Sequence, residues 1–339
     1  MTVIFLVLLF AIILVNGWTD APNAISTCIA TRSMSAGGAL ALAGVCNFIG
    51  SVFMALINSN VAKTVFSIAS FPEERSLALF SLCAAMSAVV IWSLLATRFG
   101  LPTSESHALL SGLAGAAVAA CSSLSAINTD EALTVIYGLL LSTIPSFIIA
   151  RIIYSVMTSA LKRRDRRKVI RYFTRTQILS AATSATLHGA QDSQKFMGVL
   201  MLGISLYRGQ YTSSDFSLPI GVIISCAAVM TLGTLLGGKS IIKKVGIDMV
   251  SLDAAGGTAA DLASSSVLAI CSYLGFPVST THSKASAMMG VGTQRNGGGT
   301  DKKIAGEILL AWLLTFPICA AIGFILTFIY INTKGCFIC

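Results

Sequence analysis

Apolar stretches separated by short polar segments recur along the whole chain of 339 residues. A helix needs about 20 apolar residues to cross a bilayer, and ten stretches approach that length. They lie at approximately 3–30, 37–58, 77–97, 103–121, 132–160, 178–206, 216–237, 258–275, 278–293 and 304–332. Ten spans use roughly 200 residues, which leaves room for short loops but none for a separate soluble domain. The pattern predicts an all-α integral membrane protein with about ten membrane segments.

The composition supports this interpretation. Hydrophobic residues make up 55% of the chain and charged residues 11%, with a mean hydropathy of +0.82. Soluble domains carry about 25% charged residues, and the sequence has neither the glycine period of collagen nor a polar low-complexity tract. The run Val3–Val15 lacks a basic start and a small-residue cleavage site. We therefore expect it to be a retained first span and not a signal peptide.

The net charge of +9 does not indicate a nucleic-acid partner, because the basic residues are clustered. Eight of the 23 Lys and Arg residues lie between Lys162 and Arg175. In a membrane protein, such a cluster is typical of a cytoplasmic loop. We therefore predict a first transmembrane repeat at 1–160, a basic cytoplasmic loop at 161–177 and a second transmembrane repeat at 178–339.

The remaining charges predict a multi-pass topology in the plasma membrane. Counting spans from the loop 161–177 places both termini outside the cell and the segment around Glu73, Glu74 and Arg75 outside as well. The other loops with excess positive charge then lie inside; they contain Arg32, Arg98, Lys239, Lys243, Lys244, Arg295, Lys302 and Lys303. The lipid bilayer is one partner. Exposed apolar residues face lipid by default, so homo-oligomer formation stays open.

Two short motifs occur once in each half, in the same order. Segment 16–20 (Asn-Gly-Trp-Thr-Asp) has a counterpart at 188–192 (His-Gly-Ala-Gln-Asp), and segment 100–107 (Gly-Leu-Pro-Thr-Ser-Glu-Ser-His) has one at 275–282 (Gly-Phe-Pro-Val-Ser-Thr-Thr-His). The offset is 172 residues for the aspartates and 175 for the prolines. Five crossings per half invert the second half, and inverted repeats are typical of secondary transporters with a site near the membrane midplane.

The first motif provides oxygen ligands inside an apolar segment. A carboxylate such as Asp20 is costly there and marks a functional site, and Asn23 lies one helical turn later on the same face. Pro22 removes a backbone donor, so we expect the first helix to break and free carbonyl oxygens. These oxygens suit a small hard cation such as sodium. The alternative is a helix cap at a loop.

The second copy of this motif differs from the first. Asp192 is followed by Gln194 and Lys195. Lys195 has three candidate roles, which are an ion pair with Asp192, direct binding of an anion, or extension towards the membrane interface. We expect a broken first helix in each half.

The Pro-x-Ser-x-(Ser/Thr)-His segments predict an anion site. Each begins with a helix-initiating proline and offers hydroxyls where backbone N–H groups are unpaired. Two such helix ends from opposite halves can hold a tetrahedral oxyanion between them. Ordinary capping by Ser and Thr is the alternative.

The remaining candidates are histidines, one further acid and two cysteines. All three histidines, His107, His188 and His282, lie within the repeated motifs. We expect them to form structural hydrogen bonds, with proton transfer as an alternative and no metal role, since no ligand lies at suitable spacing. Asp261 is either a further cation ligand or a helix cap. The lone Cys336-x-x-Cys339 is weak evidence for metal or redox chemistry, and no cofactor is expected.

An enzymatic function has little support in the sequence. No Walker A motif is present, and neither Ser-x-(Ser/Thr)-His segment has an identifiable third residue for nucleophilic catalysis. We predict that the protein is not an enzyme.

Taken together, the segments 16–24, 188–198 and 277–282 resemble the signatures of the inorganic phosphate transporter (PiT) family, which comprises cation-coupled phosphate symporters. The second segment, with His-Gly-Ala-Gln-Asp-Ser-Gln-Lys, is similar to the bacterial form of its signature. The third matches the motif of a re-entrant hairpin. The resemblance covers nearly the whole chain and implies phosphate held between two hairpins and two aspartate motifs.

The resemblance also implies roles for individual residues. Those expected to bind phosphate are Asp20, Asn23, Ser104, Glu105, Ser106, Asp192, Lys195, Ser279, Thr280 and Thr281. Those expected to bind sodium are Asp20, Asn23, Thr103, Ser104, Asp192, Gln194 and Ser279. Those expected to support the site are Asn16, His107, His188, Gln191, Asp261 and His282.

Three positions depart from the family pattern. Gln191 replaces the usual Asn, and Asp261 stands where the family often has Glu. Glu105 stands where the family commonly has a small or hydroxylated residue. An ionised Glu105 would repel phosphate, so it must be protonated, paired with a cation or turned away.

The resemblance implies import of inorganic phosphate by symport with a cation, with sodium favoured over the proton. Two aspartates beside a dianion require cations to screen them. The alternatives are a sulfate permease of the same fold, a proton-coupled symporter of a metal–phosphate complex, an ion channel and a membrane enzyme. Buried acceptors favour phosphate over sulfate, because only phosphate can donate a hydrogen bond to them.

Overall fold

The structure, a computed structural model, describes residues 1–99, 101–162, 164–209, 216–294 and 299–336, with no description of the side chains at 239 and 334–336. Four residues used in the sequence predictions lie outside the described residues, namely Gly100, Arg163, Arg295 and Cys339, as does the side chain of Cys336.

The described residues form thirteen α-helices and no β-strand. Their bounds are α1 Thr2–Thr19, α2 Ala21–Ala30, α3 Ala36–Ile57, α4 Asn60–Ser67, α5 Arg75–Arg98, α6 Glu105–Cys121, α7 Thr129–Leu161, α8 Arg166–Arg208, α9 Ile220–Leu236, α10 Lys239–Ile241, α11 Ala254–Leu274, α12 Thr280–Gly292 and α13 Lys302–Cys336. A 3-10 turn covers Leu124–Ala126, and α10 continues into a π-helical segment, Ile242–Met249.

Within the described part of the chain, six helical segments are long and apolar enough to cross a membrane. They are Thr2–Ala30, Ala36–Ile57, Arg75–Arg98, Thr129–Leu161, Ala254–Leu274 and Lys302–Thr333. Their outer faces carry large exposed apolar side chains, such as Phe53 on α3, Ile144 on α7 and Leu313 on α13. Lipid is the solvent that suits such a surface, and the prediction of an all-α, multi-pass membrane protein is confirmed at this level.

The helix carrying Asp192 is continuous, so the prediction of a broken first helix in each half is wrong for the second half. α8 runs unbroken from Arg166 to Arg208. Its motif has Gln194 where the first motif has Pro22, and glutamine retains the N–H that a helix interior needs. In the first half, the interruption is limited to Asp20, whose own backbone remains α-helical.

The basic segment is mostly helical and is not the loop predicted at 161–177. α7 ends at Leu161 and α8 begins at Arg166, with the side chain of Asp165 capping the N–H of Arg167 at 2.9 Å. Arg, Lys and Gln favour helix formation, and nothing between 166 and 177 interrupts it. The connection between the halves is therefore short.

The helices of the two halves pack against each other in matching pairs. α1 packs against α9 and α3 packs against α8, while α6 packs against α13 and α12 packs against α7. Gly17 and Gly189 are among the glycines that permit close approaches between the halves. A Cβ at Gly17 would lie 2.2 Å from the carbonyl oxygen of Met230, and one at Gly189 would lie 2.2 Å from that of Asn47.

Two apolar clusters form most of the interior. One includes Leu82 and Leu109 from α5 and α6, and the other includes Ala263 and Met288 from α11 and α12. The helices α6 and α12 both begin in the interior, since their first residues are buried. This places two helix N-termini close to the aspartates of α8 and of the α1–α2 junction.

Candidate functional site

Asp20 lies at the junction of α1 and α2 and is 3% exposed. Its carboxylate accepts hydrogen bonds from Asn16 Nδ2 at 3.3 Å and from Thr281 Oγ1 at 2.7 Å. Asn23 Nδ2 lies 3.5 Å from Asp20 Oδ1 and 3.2 Å from Thr281 Oγ1. Pro22 lies in the first turn of α2, next to Asp20, where the ring of proline is well tolerated.

Asp192 is fully buried within α8 and pairs with two residues of the same helix. Lys195 Nζ lies 2.6 Å from Asp192 Oδ1, and His188 Nε2 lies 3.2 Å from Asp192 Oδ2. His188 Nδ1 lies 3.1 Å from Asn47 Oδ1 on α3. Lys195 therefore does not extend towards the membrane interface, and the predicted ion pair with Asp192 is the interaction that the structure contains.

The beginning of α12 joins the aspartates of the two halves. Thr280 Oγ1 donates to Asp192 Oδ2 at 3.1 Å, whereas the next residue, Thr281, donates to Asp20. Ser279 precedes the helix and caps it, because its hydroxyl accepts from the N–H of His282 at 3.2 Å. The hydroxyls of Thr280 and Thr281 thus lie between the two acids.

The beginning of α6 contributes from the opposite half. Ser104 caps this helix by accepting from the N–H of His107 at 3.2 Å. Lys195 Nζ donates to Ser106 Oγ at 2.5 Å and to the carbonyl oxygen of Val278 at 2.5 Å. One buried ammonium group therefore connects α8 with both helix N-termini.

Glu105 faces this cluster and is not turned away from it. It is 2% exposed, and Thr19 Oγ1 donates a hydrogen bond to its Oε1. Asp20 lies within electrostatic range of both Glu105 and Asp192. The site therefore contains three carboxylates and one ammonium group, that of Lys195, which pairs with Asp192. This leaves a surplus of negative charge when the acids are ionised.

Several buried oxygens at the site have no hydrogen-bond partner among the described residues. They are Oδ1 of Asn16, Oδ1 of Asn23 and Oε2 of Glu105. Buried acceptors without donors are uncommon in folded proteins. Amide and carboxylate oxygens of this kind are ligands for hard cations, and all three belong to the half that contains Asp20.

Some predicted residues lie beside the cluster and are bonded elsewhere. Gln194 Nε2 donates to the carbonyl oxygen of Asn58 at 2.9 Å, and Gln194 Oε1 accepts from the N–H of Ala62 at 3.4 Å. Gln191 Nε2 donates to the carbonyl oxygen of Phe276 at 2.7 Å. Both amides therefore tie α8 to neighbouring backbone. Thr103 is buried just before α6.

Asp261 is separate from the cluster around Asp20 and Asp192. It lies in the middle of α11, so it is not a helix cap, and Lys284 of α12 pairs with it. Sequence reasoning missed Lys284, which lies 23 residues from Asp261. It also missed Thr19 and Asn47, whose partners belong to other helices.

His107 and His282 contact each other through their rings, at a centroid distance of 4.6 Å. His282 also stacks on Trp312 at 3.7 Å, and His107 stacks on Phe316 at 4.6 Å. The ring nitrogens of both histidines have no hydrogen-bond partner in the described part of the chain. The expected structural hydrogen bonds through the side chain are therefore found for His188 but not for these two rings.

A multi-pass helical membrane protein with a buried charged site between repeated motifs has the features of a membrane transporter. The sequence model of the phosphate transporter family matches two segments of this chain, residues 16–170 and 158–323. A probable low-affinity inorganic phosphate transporter of Bacillus subtilis (strain 168) is 33% identical, with 97% of each chain covered. One of Rhizobium meliloti (strain 1021) is 32% identical, with 91% of this chain and 90% of the relative covered.

This chain belongs to the phosphate transporter family. Its relatives are transporters and not enzymes, as the sequence predicts. A solved structure titled "The sodium-dependent phosphate transporter" superposes with a TM-score of 0.87 at 20% identity, covering 97% of this chain and 98% of that one. At this identity, the likeness shows that the two chains share a fold.

Proposed function

We propose that the protein imports inorganic phosphate across the plasma membrane by symport with sodium. The observation that carries the proposal is the excess of buried acid at the site, where the carboxylates of Asp20, Glu105 and Asp192 lie within electrostatic range of one another and Lys195 pairs with Asp192. Burying unbalanced charge is costly. A phosphate dianion adds further negative charge to the site, so cations must enter with it.

Phosphate lies between the beginnings of α6 and α12 in this proposal. Unpaired N–H groups at helix N-termini and nearby hydroxyls favour an oxyanion. Ser106, Thr280 and Thr281 provide hydroxyls, and Lys195 provides positive charge next to both helices. Oxygens of Asp20 and Asp192 accept the proton of hydrogen phosphate, which sulfate lacks.

Sodium binds on the side of Asp20. Hard ligands come from the Asp20 carboxylate and from the unpartnered oxygens of Asn16, Asn23 and Glu105. The other residues of the predicted sodium set then have a positioning role. Ser104 and Ser279 cap their helices, and Gln194 bonds to neighbouring backbone. Thr103 belongs to the same group, just before α6.

The proposed topology has ten crossings in two inverted repeats, 1–161 and 166–339, with both termini outside and the basic segment inside. The paired packing of α1 on α9 and α3 on α8 supports the repeat. A backbone hydrogen bond from Ser70 to Ala126 at 2.8 Å supports a common side for the segments after α4 and α6. The bridge between Val250 and Thr300 does the same for the opposite side.

Uptake of labelled phosphate into proteoliposomes tests the function. We expect accumulation with an inward sodium gradient, none with a proton gradient alone, and little inhibition by excess sulfate. Empty liposomes and a choline gradient are the controls.

Three outcomes would replace the proposal. Uptake driven only by the proton gradient would assign coupling to protons and direct attention to Glu105 and the histidines. A requirement for divalent metal as well would indicate a metal–phosphate complex as the substrate. Accumulation of sulfate with full competition would indicate a sulfate permease.

A further inference from the structure

A second buried charge cluster lies next to the proposed phosphate site. Lys284 of α12 is 3% exposed and pairs with Asp261, which is fully buried. Its Nζ also lies 3.1 Å from the carbonyl oxygen of Ala24 and 3.3 Å from Ser184 Oγ. An ammonium group has three N–H donors, and these three oxygens satisfy all of them.

Both oxygens of the Asp261 carboxylate also accept hydrogen bonds from hydroxyls. Thr27 Oγ1 donates to Asp261 Oδ1 at 2.8 Å, and Ser180 Oγ donates to Asp261 Oδ2 at 2.8 Å. Helices α2, α8 and α11 thus place a carboxylate, hydroxyls and a main-chain carbonyl around the positive group that α12 carries. This is the ligand chemistry of a hard cation site, occupied here by a side chain.

The cluster shares two helices with the proposed sodium and phosphate sites. Ala24 directly follows Asn23 on α2, and Lys284 lies three residues after Thr281 on α12. Residues three or four apart lie on one face of a helix. A change of charge at Lys284 therefore acts at a distance of one helical turn from Thr281, which contacts the proposed sodium site.

The equivalent place in the first half is apolar. With the offset of 175 residues, Asp261 corresponds to Met86 and Lys284 to Leu109. Both are fully buried in one apolar cluster. The fold therefore accommodates apolar side chains at these positions, and a buried ion pair is not in general more stable than such a replacement. The pair requires an explanation other than packing.

We propose that the ammonium group of Lys284 is a tethered cation, which occupies an oxygen cage that would otherwise bind a free sodium ion. Since this inference rests on the proposed sodium coupling, its consequence is a transport stoichiometry reduced by one sodium. The lysine supplies that charge permanently and cannot be transported.

The test measures binding of labelled sodium to the purified protein without phosphate. Lys284→Met removes the ammonium and leaves the Asp261 carboxylate in its cage, so we expect one more sodium bound per chain than in the wild type. The matched control is Asp261→Met/Lys284→Leu, which copies the pair Met86 and Leu109. It removes both charges, and we expect the wild-type number of sodium ions.

Either variant can overturn the inference. Folded Lys284→Met with the wild-type sodium number would do so, and so would a double variant that binds one sodium fewer, because Asp261 would then hold sodium in the wild type. If Lys284→Met folds too poorly for its bound sodium to be counted, thermal unfolding provides a second measurement. We expect sodium to raise its unfolding temperature relative to choline more than it does for the wild type, and equal effects would contradict the proposal.

A failure of sodium coupling itself is recognised separately. It would appear as wild-type protein that binds no sodium and gives no sodium-driven uptake, whereas the gain of one sodium by Lys284→Met concerns only the Asp261 cage.

Discussion

In the first half of the chain, Asp20 lies at the junction of two helices, and the residue one turn later is the neutral Asn23. In the second half, Asp192 lies within one continuous helix, and the residue at the same spacing is Lys195. Asn23 contacts Thr281 of α12, whereas Lys195 contacts Ser106 of α6. The same scaffold thus holds an uncompensated acid on one side and a compensated acid on the other.

Under the proposed function, this difference teaches how one fold can build a site for ions of opposite charge. The half with Asp20 keeps oxygens that have no partner among the described residues, which suits a free cation. The half with Asp192 carries its own positive charge, which suits an anion. The repeated motifs place equivalent positions around the site, and the residues that differ at these positions give each half its own ligands.

Substitution of the two aspartates should have the largest effect and should separate the two halves. We expect both Asp20→Asn and Asp192→Asn to reduce sodium-driven phosphate uptake to background. The two substitutions should change the stability of the protein in opposite directions. Asp192→Asn leaves the Lys195 ammonium buried without its partner, which costs about 3–5 kcal/mol, whereas Asp20→Asn removes a buried charge that has no Lys or Arg partner among the described residues.

Thermal unfolding of the purified proteins without sodium checks this prediction. Asp192→Asn should unfold at a lower temperature than the wild type, and Asp20→Asn at the same or a higher temperature. Equal destabilisation by the two substitutions, or full uptake by both, would contradict the comparison of the halves.

Duplication explains which parts of the site are predictable from the sequence. Asp20, Asp192, Thr280 and Thr281 belong to repeated motifs, and these motifs converge in the structure. The all-helical membrane fold follows from the apolar stretches. The continuity of α8 is also deducible, since Gln194 occupies the place of Pro22.

The remaining features depend on packing between distant helices. The pairing of Asp261 with Lys284 requires the relative rotation of α11 and α12, which no local pattern specifies. The ring contact between His107 and His282 likewise requires both helix ends to meet. Asn47 has no motif around it and reaches His188 only because α3 packs on α8.

The second-largest effect should come from substitution of Gly17 and Gly189, which tests whether the two interfaces between the halves are equally close. Each lies against backbone of the other half, so an added methyl group forces the helices apart. Overpacking of this kind typically costs about 1–3 kcal/mol. We expect Gly17→Ala and Gly189→Ala to lower the unfolding temperature by similar amounts.

Gly37 and Gly221 provide matched controls within helices. A Cβ at either position meets no atom within 4 Å, and alanine favours a helix over glycine by about 1 kcal/mol. Both Ala variants should therefore be at least as stable as the wild type. Tolerance of alanine at Gly189 but not at Gly17 would mean that the two interfaces are not equivalent.

The smallest effect concerns Glu105, whose equivalent in the second half is Thr280. Thr280 donates to Asp192, whereas Glu105 accepts from Thr19 and adds negative charge near Asp20. We infer that Glu105 is paired with a bound cation. Glu105→Gln keeps the shape and an oxygen ligand and removes the charge, so the sodium concentration for half-maximal uptake should rise a few-fold, which corresponds to roughly 1 kcal/mol or less at 1.4 kcal/mol per tenfold change.

Glu105→Thr sharpens this test, because it gives the first motif the residue of the second. Its sodium requirement should rise at least as much as that of Glu105→Gln, while inhibition by excess sulfate stays unchanged, because the anion contacts of Lys195 and Ser106 remain. If both variants keep the wild-type sodium dependence but lose a dependence of uptake on external pH, Glu105 carries a proton and not a cation. The asymmetry between the halves would then concern proton binding at this position, and the sodium ligands would be confined to the Asp20 motif.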